Sequence, residues 1–204
     1  MKKWMKYDRY LMNGEWHIHT NYTDGKNSVE DYCKKAAMLG LPLVAFTEHV
    51  RRTLTYDFND LAKEIGSARK CYPELIILTG CEAKVLEDGD LDVSEDVKKE
   101  CDIVLMAFHS FPKDKRKYVS ALKRALTCPE VDIWAHPGLF LTKNNFILTN
   151  EEIAEILDIA KKSEVLIEIN KKYNLPPTKW CEIGLKNGVK FVKGSDVHSV
   201  DDMR

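Results

Sequence analysis

The chain reads as an α/β protein of seven β/α units, with parallel strands in a sheet covered on both faces or closed into a barrel. Three observations lead there. Short apolar runs alternate with amphipathic segments of helical period along the whole chain. The runs are almost continuously apolar, as strands buried on both faces require. All six histidines stand at or just beyond the predicted strand ends, with carboxylates beside them.

Residues 14–20 form the first predicted strand. A helix over 28–39 follows, capped by Ser28 and stopped at Gly40. Residues 41–47 (LPLVAFT) read as a buried strand, and 57–70 as a helix opened by Asp57 or Asn59. A third strand covers 75–85, a short capped helix 94–100, and a fourth strand 102–108 (DIVLMAF). Residues 114–127 are helical and 131–135 a strand. The next helix, 150–162, takes Asn150 as its cap, with Glu151 and Glu152 in the first turn where the helix dipole favours them. Residues 164–170 are a strand, 177–187 a helix ended by Gly188, and 189–195 the last strand. Residues 201–204 look like the start of a further helix, so the barrel either ends short there or continues past residue 204.

At 204 residues the chain fits a single domain, 1–204, with a substantial core. A formal net charge of −1 argues against a generic nucleic-acid coat or a binder of anionic membranes and leaves a local basic patch open. The first 14 residues are basic and aromatic without the apolar stretch of a signal peptide, and no run is long enough to span a bilayer. The six cysteines include no C-x-x-C pair, which suits reduced thiols in a cytoplasmic enzyme. Cys81 should point away from Glu82 by strand alternation and pack in the core.

The candidate ligands are His17, His19, Asp24, His49, Glu82, His109, His136, Asp196 and His198. Neutral imidazole and carboxylate are the usual ligands of zinc, manganese and iron, and nine are too many for one ion but suit three. His17 and His19 share a strand face, and Asp196 and His198 should repeat that geometry at the last strand, which is the neighbour of the first in a closed barrel. The motifs H-x-H with a following D-G, T-E-H, an isolated Glu, H-S, A-H-P and G-S-D-x-H, in this order from His17 to His198, resemble the polymerase-and-histidinol-phosphatase (PHP) superfamily.

That resemblance implies a distorted (β/α)7 TIM-like barrel with a trinuclear metal centre at the C-terminal ends of the strands, hydrolysing phosphoesters. It would place His17, His19, Glu82 and Asp196 on a first ion. Glu82 would bridge to a second, completed by His109 and His136, and Asp24, His49 and His198 would hold the third. Asp24 stands where some members have His, and Thr47-Glu48-His49 replaces a T-D-H common elsewhere. Glu48 faces away from His49 and is expected to support a ligand from behind or to be structural. Three divalent ions against three carboxylates leave a surplus of about +3, suited to a phosphate dianion, and water between ions would be acidified toward neutral pH. No protein nucleophile is assigned. Ser110 and Ser195 are expected to hydrogen-bond ligands or phosphate.

Arg51, Arg52, Lys84 and Asn170 are the candidate substrate contacts, with Lys171 and Lys172 as weaker ones; arginine's planar fork suits phosphate, and Asn170 is expected to touch either phosphate or a residue behind the ligands. Tyr56 and Phe58 either wall a leaving-group pocket or pack locally. The expected partner is a small phosphorylated substrate such as histidinol phosphate. A 3'-5' exonuclease or nucleotide phosphodiesterase is the rival, disfavoured because the charge offers no phosphate-tracking stripe. A non-catalytic metal-binding domain and an amidohydrolase are further alternatives. Oligomeric state is not legible.

Overall fold

The computed structural model describes residues 2–203. Seven parallel strands follow one another around a barrel: β1 (Glu15–Ile18), β2 (Leu43–Val50), β3 (Ile76–Val85), β5 (Ile103–Ala107), β6 (Ile133–Trp134), β7 (Leu166–Asn170) and β8 (Phe191–Gly194). The two-residue β4 (Leu91–Asp92) pairs antiparallel with the end of β3. Closure runs through the residues after β8: Ile18 bridges Val197 in parallel, and His19 N and Val197 N donate to Val197 O and His17 O, each at 2.9 Å. This is the predicted distorted TIM-like barrel.

Helices α1 (Val29–Leu39), α2 (Phe58–Cys71), α3 (Glu95–Glu100), α4 (Lys115–Leu126), α6 (Asn150–Lys162) and α7 (Thr178–Lys186) fall where the apolar periodicity puts them. Their caps explain the boundaries. Ser28 makes a capping box with Asp31, and Asp57, Ser94 and Asp114 each accept from a first-turn N–H. The cap of α6 is Thr149 rather than Asn150, because Thr149 and Glu152 satisfy each other's backbone N–H reciprocally. The sequence reading missed α5 (Leu139–Asn144) and the 3₁₀ segment Lys3–Tyr10, both too short or irregular to show a period. The expected helix start at 201–204 is a 3₁₀ turn, Val200–Asp202; Arg204 lies outside the described residues.

Two apolar clusters result from strand alternation. Outward residues such as Val44, Phe46, Cys81 and Ile167 pack under the helices, together with Tyr32, Leu61 and Leu157. Inward residues Leu43, Ala45, Leu78, Ile103, Leu105, Ile133, Leu166 and Val192 fill the lower barrel. Trp4, from the N-terminal 3₁₀ segment, joins them and donates Nε1–H to Glu164 O at 2.8 Å, plugging the bottom. Each such fully buried large side chain stabilises by about 2 kcal/mol. Further up, the inward positions turn polar: Leu43 and Ala45 give way to Thr47 and His49, Leu78 to Glu82, Leu166 to Glu168 and Asn170. The same two-residue period thus fills the floor and arms the mouth.

No disulfide joins any of the six cysteines; Cys81 and Cys101 are buried together. Among the described residues no helix is long and apolar enough to cross a membrane.

Candidate metal centre

All nine candidate ligands meet at the C-terminal mouth of the barrel. Glu82 is the hub. It is fully buried, and five imidazoles place a nitrogen within 3.7 Å of its oxygens. Oε1 faces His136 Nε2 at 2.8 Å and His17 Nε2 at 3.6 Å. Oε2 faces His49 Nδ1 at 2.9 Å, His109 Nε2 at 3.1 Å and His19 Nε2 at 3.7 Å. Asp196 Oδ1 lies 3.2 Å from His19 Nε2 and 3.6 Å from His17 Nε2. At the solvent side, Asp24 Oδ2 is 3.4 Å from His49 Nε2 and 3.2 Å from His198 Nε2.

Three groups of donor atoms are close enough to share an ion: His17, His19 and Glu82; His49, Glu82 and His109; and His19, Asp24, His49 and His198. They overlap the three expected sets without matching them: the first lacks Asp196, the second has His49 in place of His136, and the third gains His19. His49 lies between two of them, and His136 approaches the opposite oxygen of Glu82 from the one His109 faces. His17 and His19 are wholly buried, whereas Asp24 is 54% exposed, so the cluster runs from a closed interior to an open rim.

The donor set fits cations. His49 Nδ1 and Glu82 Oε2 are 2.9 Å apart, yet both are buried without a hydrogen-bond partner, as is His19 Nδ1. The Nε2 atoms of His17 and His19 face each other at 3.0 Å. Buried polar atoms left unpaired at this density are costly unless a bound group satisfies them. Electrostatics points the same way. Burial opposes the Glu82 carboxylate, but the His109 and His17 charges outweigh it and hold its pKa well below the ordinary value. Burial likewise opposes a charge on His17, yet Glu168 and Glu82 raise its pKa well above the usual imidazole value. Burial lowers His19 to about 4. Asp196, against burial, is held far down by His19 and His17.

The approach of Asp196 and His198 was expected to be that of a strand. It is not: β8 ends at Gly194, and Asp196 sits in the left-handed region with φ 50°. A loop, not pleat alternation, carries both residues in. Ser195 does not bond a ligand as expected; its N–H and O–H both go to Glu15, at 2.8 and 2.9 Å. Burial, more than these bonds can offset, pushes the Glu15 carboxyl up to about 7. Glu48 is structural as expected, accepting from Thr20 N and Thr23 Oγ1.

Among the candidate substrate contacts, Arg51 follows the site on β2, with Nη1 donating to Val50 O and Nε 3.7 Å from Asp92. Arg52 is exposed, and its backbone N–H goes to Asp92 Oδ1. Lys84 is half-buried opposite Asp92 in the β3–β4 pair. Asn170 supports a neighbour of the candidate ligands, one of its two expected roles. It is buried, donates to Glu168 and accepts from Tyr173 N, so both ends of its amide are engaged. Phe58 packs in the core, and Tyr56 donates to His49 O. Both line a groove of about 770 Å³ that includes none of the nine ligands.

Two residues escaped the sequence reading, and a third, Lys172, was expected only as a substrate contact. Glu168 accepts from His17 Nδ1 at 2.7 Å; Tyr173 O–H donates to Asp196 Oδ2 at 2.8 Å; and Lys172 Nζ reaches the same oxygen at 3.0 Å. Glu168 was findable, since it lies two residues before Asn170 on the same face. Tyr173 and Lys172 stand in a loop, where no period signals direction.

A family model described as the PHP domain matches residues 15–172, ending before Asp196 and His198. The DNA polymerase/3'-5' exonuclease PolX of Bacillus subtilis is 29% identical over 95% of this chain, which spans only 36% of that protein's length. A "Probable phosphatase" of Clostridium novyi is 31% identical over 81% of this chain and 70% of its own. Among solved structures, a candidate histidinol phosphatase (hisK) of Listeria monocytogenes superposes with TM-score 0.74 at 18% identity, over 94% of this chain and 97% of that one. A two-domain Bacteroides vulgatus protein containing a predicted PHP-like metal-dependent phosphoesterase gives TM-score 0.53 at 16% identity, over 93% of this chain and 53% of that one. These last two show the fold alone. With the family model covering most of the chain and the barrel mouth carrying its motifs in order, the chain belongs to the PHP domain family.

Proposed function

We propose that this protein is a metal-dependent phosphoesterase that hydrolyses a small phosphomonoester at the barrel mouth, with three divalent ions held by the nine clustered residues. The observation that carries the reading is Glu82, a buried carboxylate ringed by five imidazoles, with Oε2 and the His49 Nδ1 that faces it left without a hydrogen-bond partner. The names of the Clostridium novyi relative and of a second "Probable phosphatase" from Clostridium acetobutylicum, 27% identical over 93% of this chain, agree with it. Zinc, manganese and iron all suit the N/O donor set.

His17, His19, Glu82 and Asp196 would hold one ion, Glu82 with His109 and His136 a second, and Asp24, His49 and His198 the third. Such ions supply positive charge for the phosphoryl oxygens and the leaving alkoxide, and lower the pKa of water that attacks phosphorus. Each oxygen of Glu82 faces one imidazole from each of the first two sets, Oε1 facing His17 and His136 and Oε2 facing His19 and His109, so this carboxylate stands between them. Arg51, with a half-exposed guanidinium, together with Arg52 and Lys84, would meet the substrate's remaining phosphate oxygens.

The alignment with PolX over nearly the whole chain favours a second reading, a 3'-5' exonuclease or nucleotide phosphodiesterase. Turnover of p-nitrophenyl phosphate against bis-p-nitrophenyl phosphate, then of single-stranded oligonucleotides, separates the two. The monoester is expected to be the better substrate with zinc or manganese, and chelation should abolish turnover. His17→Ala and Asp196→Ala should each lower bound metal and reduce turnover by at least about 100-fold. Hydrolysis that persists in either variant, or without metal, refutes the proposal.

A further inference from the structure

We propose that Glu168 is the positioning residue of this centre, holding the His17 ring with Nε2 open to a cation and fixing the backbone of His136. This rests on the reading of His17 and His136 as metal ligands. Glu168 is 1% exposed on β7. Its Oε1 accepts from His17 Nδ1 at 2.7 Å. Its Oε2 accepts from the backbone N–H of His136 and, at 3.1 Å, from Asn170 Nδ2. One carboxylate thus collects donors from β1, from the turn after β6 and from β7 itself.

The consequence for His17 follows from tautomerism. A neutral imidazole carries one ring proton, and a proton kept on Nδ1 leaves the lone pair on Nε2. That nitrogen faces His19 Nε2 at 3.0 Å and oxygens of Glu82 and Asp196 at 3.6 Å each. For His136 the consequence is conformational. Its φ of 31° is sparsely populated by residues other than glycine, and the N–H bond to Glu168 holds that peptide turned so that Nε2 reaches Glu82.

The surroundings are shaped for this acid. A Cβ at Gly194 would lie 2.1 Å from Glu168 Oε1 and 2.8 Å from its Cδ, so only glycine leaves the carboxylate its place. The side-chain oxygen of Asn170 accepts from Tyr173 N at 3.2 Å, which turns its amino group toward Glu168.

An amide cannot replace the carboxylate. If the NH₂ of a glutamine faced His17 Nδ1, the ring could keep that bond only as an acceptor, which moves its proton to Nε2. If it faced the other way, it would set a donor against the His136 N–H. Either orientation disturbs one of the two ligands.

The test is a zinc titration of the chelator-treated protein and of Glu168→Gln against a chromophoric chelator, with nitrogen-15 histidine NMR of the zinc-loaded wild type. Glu168→Gln should keep its circular dichroism while binding zinc about 10–100-fold more weakly. Gly194→Ala, which retains the charge but takes its space, should weaken binding too, and the wild-type spectrum should show His17 protonated on Nδ1. A folded Glu168→Gln with wild-type zinc affinity overturns the proposal, as does a His17 proton on Nε2. Should Glu168→Gln not fold, the ring-proton assignment and Gly194→Ala decide. Wild-type protein that binds no zinc would instead overturn the metal-ligand reading, and this proposal with it.

Discussion

Asp132→Asn should stabilise the protein at neutral pH without touching the metal centre. Asp132 stands at the foot of β6, 3% exposed, where Oδ2 accepts the Val104 N–H at 3.0 Å. Burial, only partly offset by that bond and by Lys2, raises its pKa from 3.8 to about 6. A carboxyl raised in the folded state binds more protons there than in the unfolded chain between those two values. Stability therefore falls as pH rises from about 4 to about 6, and the cost is fully present above that. A shift of about two units corresponds to about 3 kcal/mol. Asparagine keeps an acceptor for Val104 N and carries no charge to desolvate. Urea unfolding of both proteins at pH 4, 5, 6 and 7, with chelator present, isolates the effect, because the histidine cluster titrates alike in both. The variant's stability relative to wild type should rise by about 2–3 kcal/mol across that range. Zinc affinity should stay unchanged, since the site lies at the opposite end of the barrel. Parallel pH profiles would refute the assignment, and altered zinc binding would refute the separation of the two ends.

Arg51→Ala should lower kcat/KM by about tenfold, the effect of losing about 1.4 kcal/mol of phosphate contact, with bound metal unchanged; unaltered kinetics would remove Arg51 from the site. Gly25→Ala should displace the loop carrying Asp24, because a Cβ there would lie 2.0 Å from the His19 carbonyl oxygen, a backbone atom that cannot yield. A loss of about 1–3 kcal/mol in unfolding free energy and of the outermost of three bound ions is expected, and metal counting at wild-type level would contradict it.

Much of this architecture was legible in the sequence because burial on both faces leaves a strong signature. Runs such as IVLMA over β5 and LIEIN over β7 announce parallel strands, and Ser28, Asp57, Ser94 and Asp114 announce the helices. The two-residue β6 was legible only from its neighbours, and α5, at six residues, has too few turns to show a period. Thr149 was passed over because Asn150 beside it is an equally good cap by residue type; only the reciprocal bond with Glu152 separates them.

The sequence by itself determined which residue types stand at strand ends and therefore which nine donors were available to one mouth. Strand alternation is a local property of the backbone and needs no knowledge of the fold. Which atoms face one another was decided by tertiary structure alone. Barrel closure brings Val197 beside His17 and His19; a left-handed Asp196 re-aims its carboxylate after β8 has ended; and the space at Gly194 admits Glu168 to His17. Each depends on contacts between segments more than a hundred residues apart, or on a backbone angle that residue type leaves open, and no local pattern encodes either.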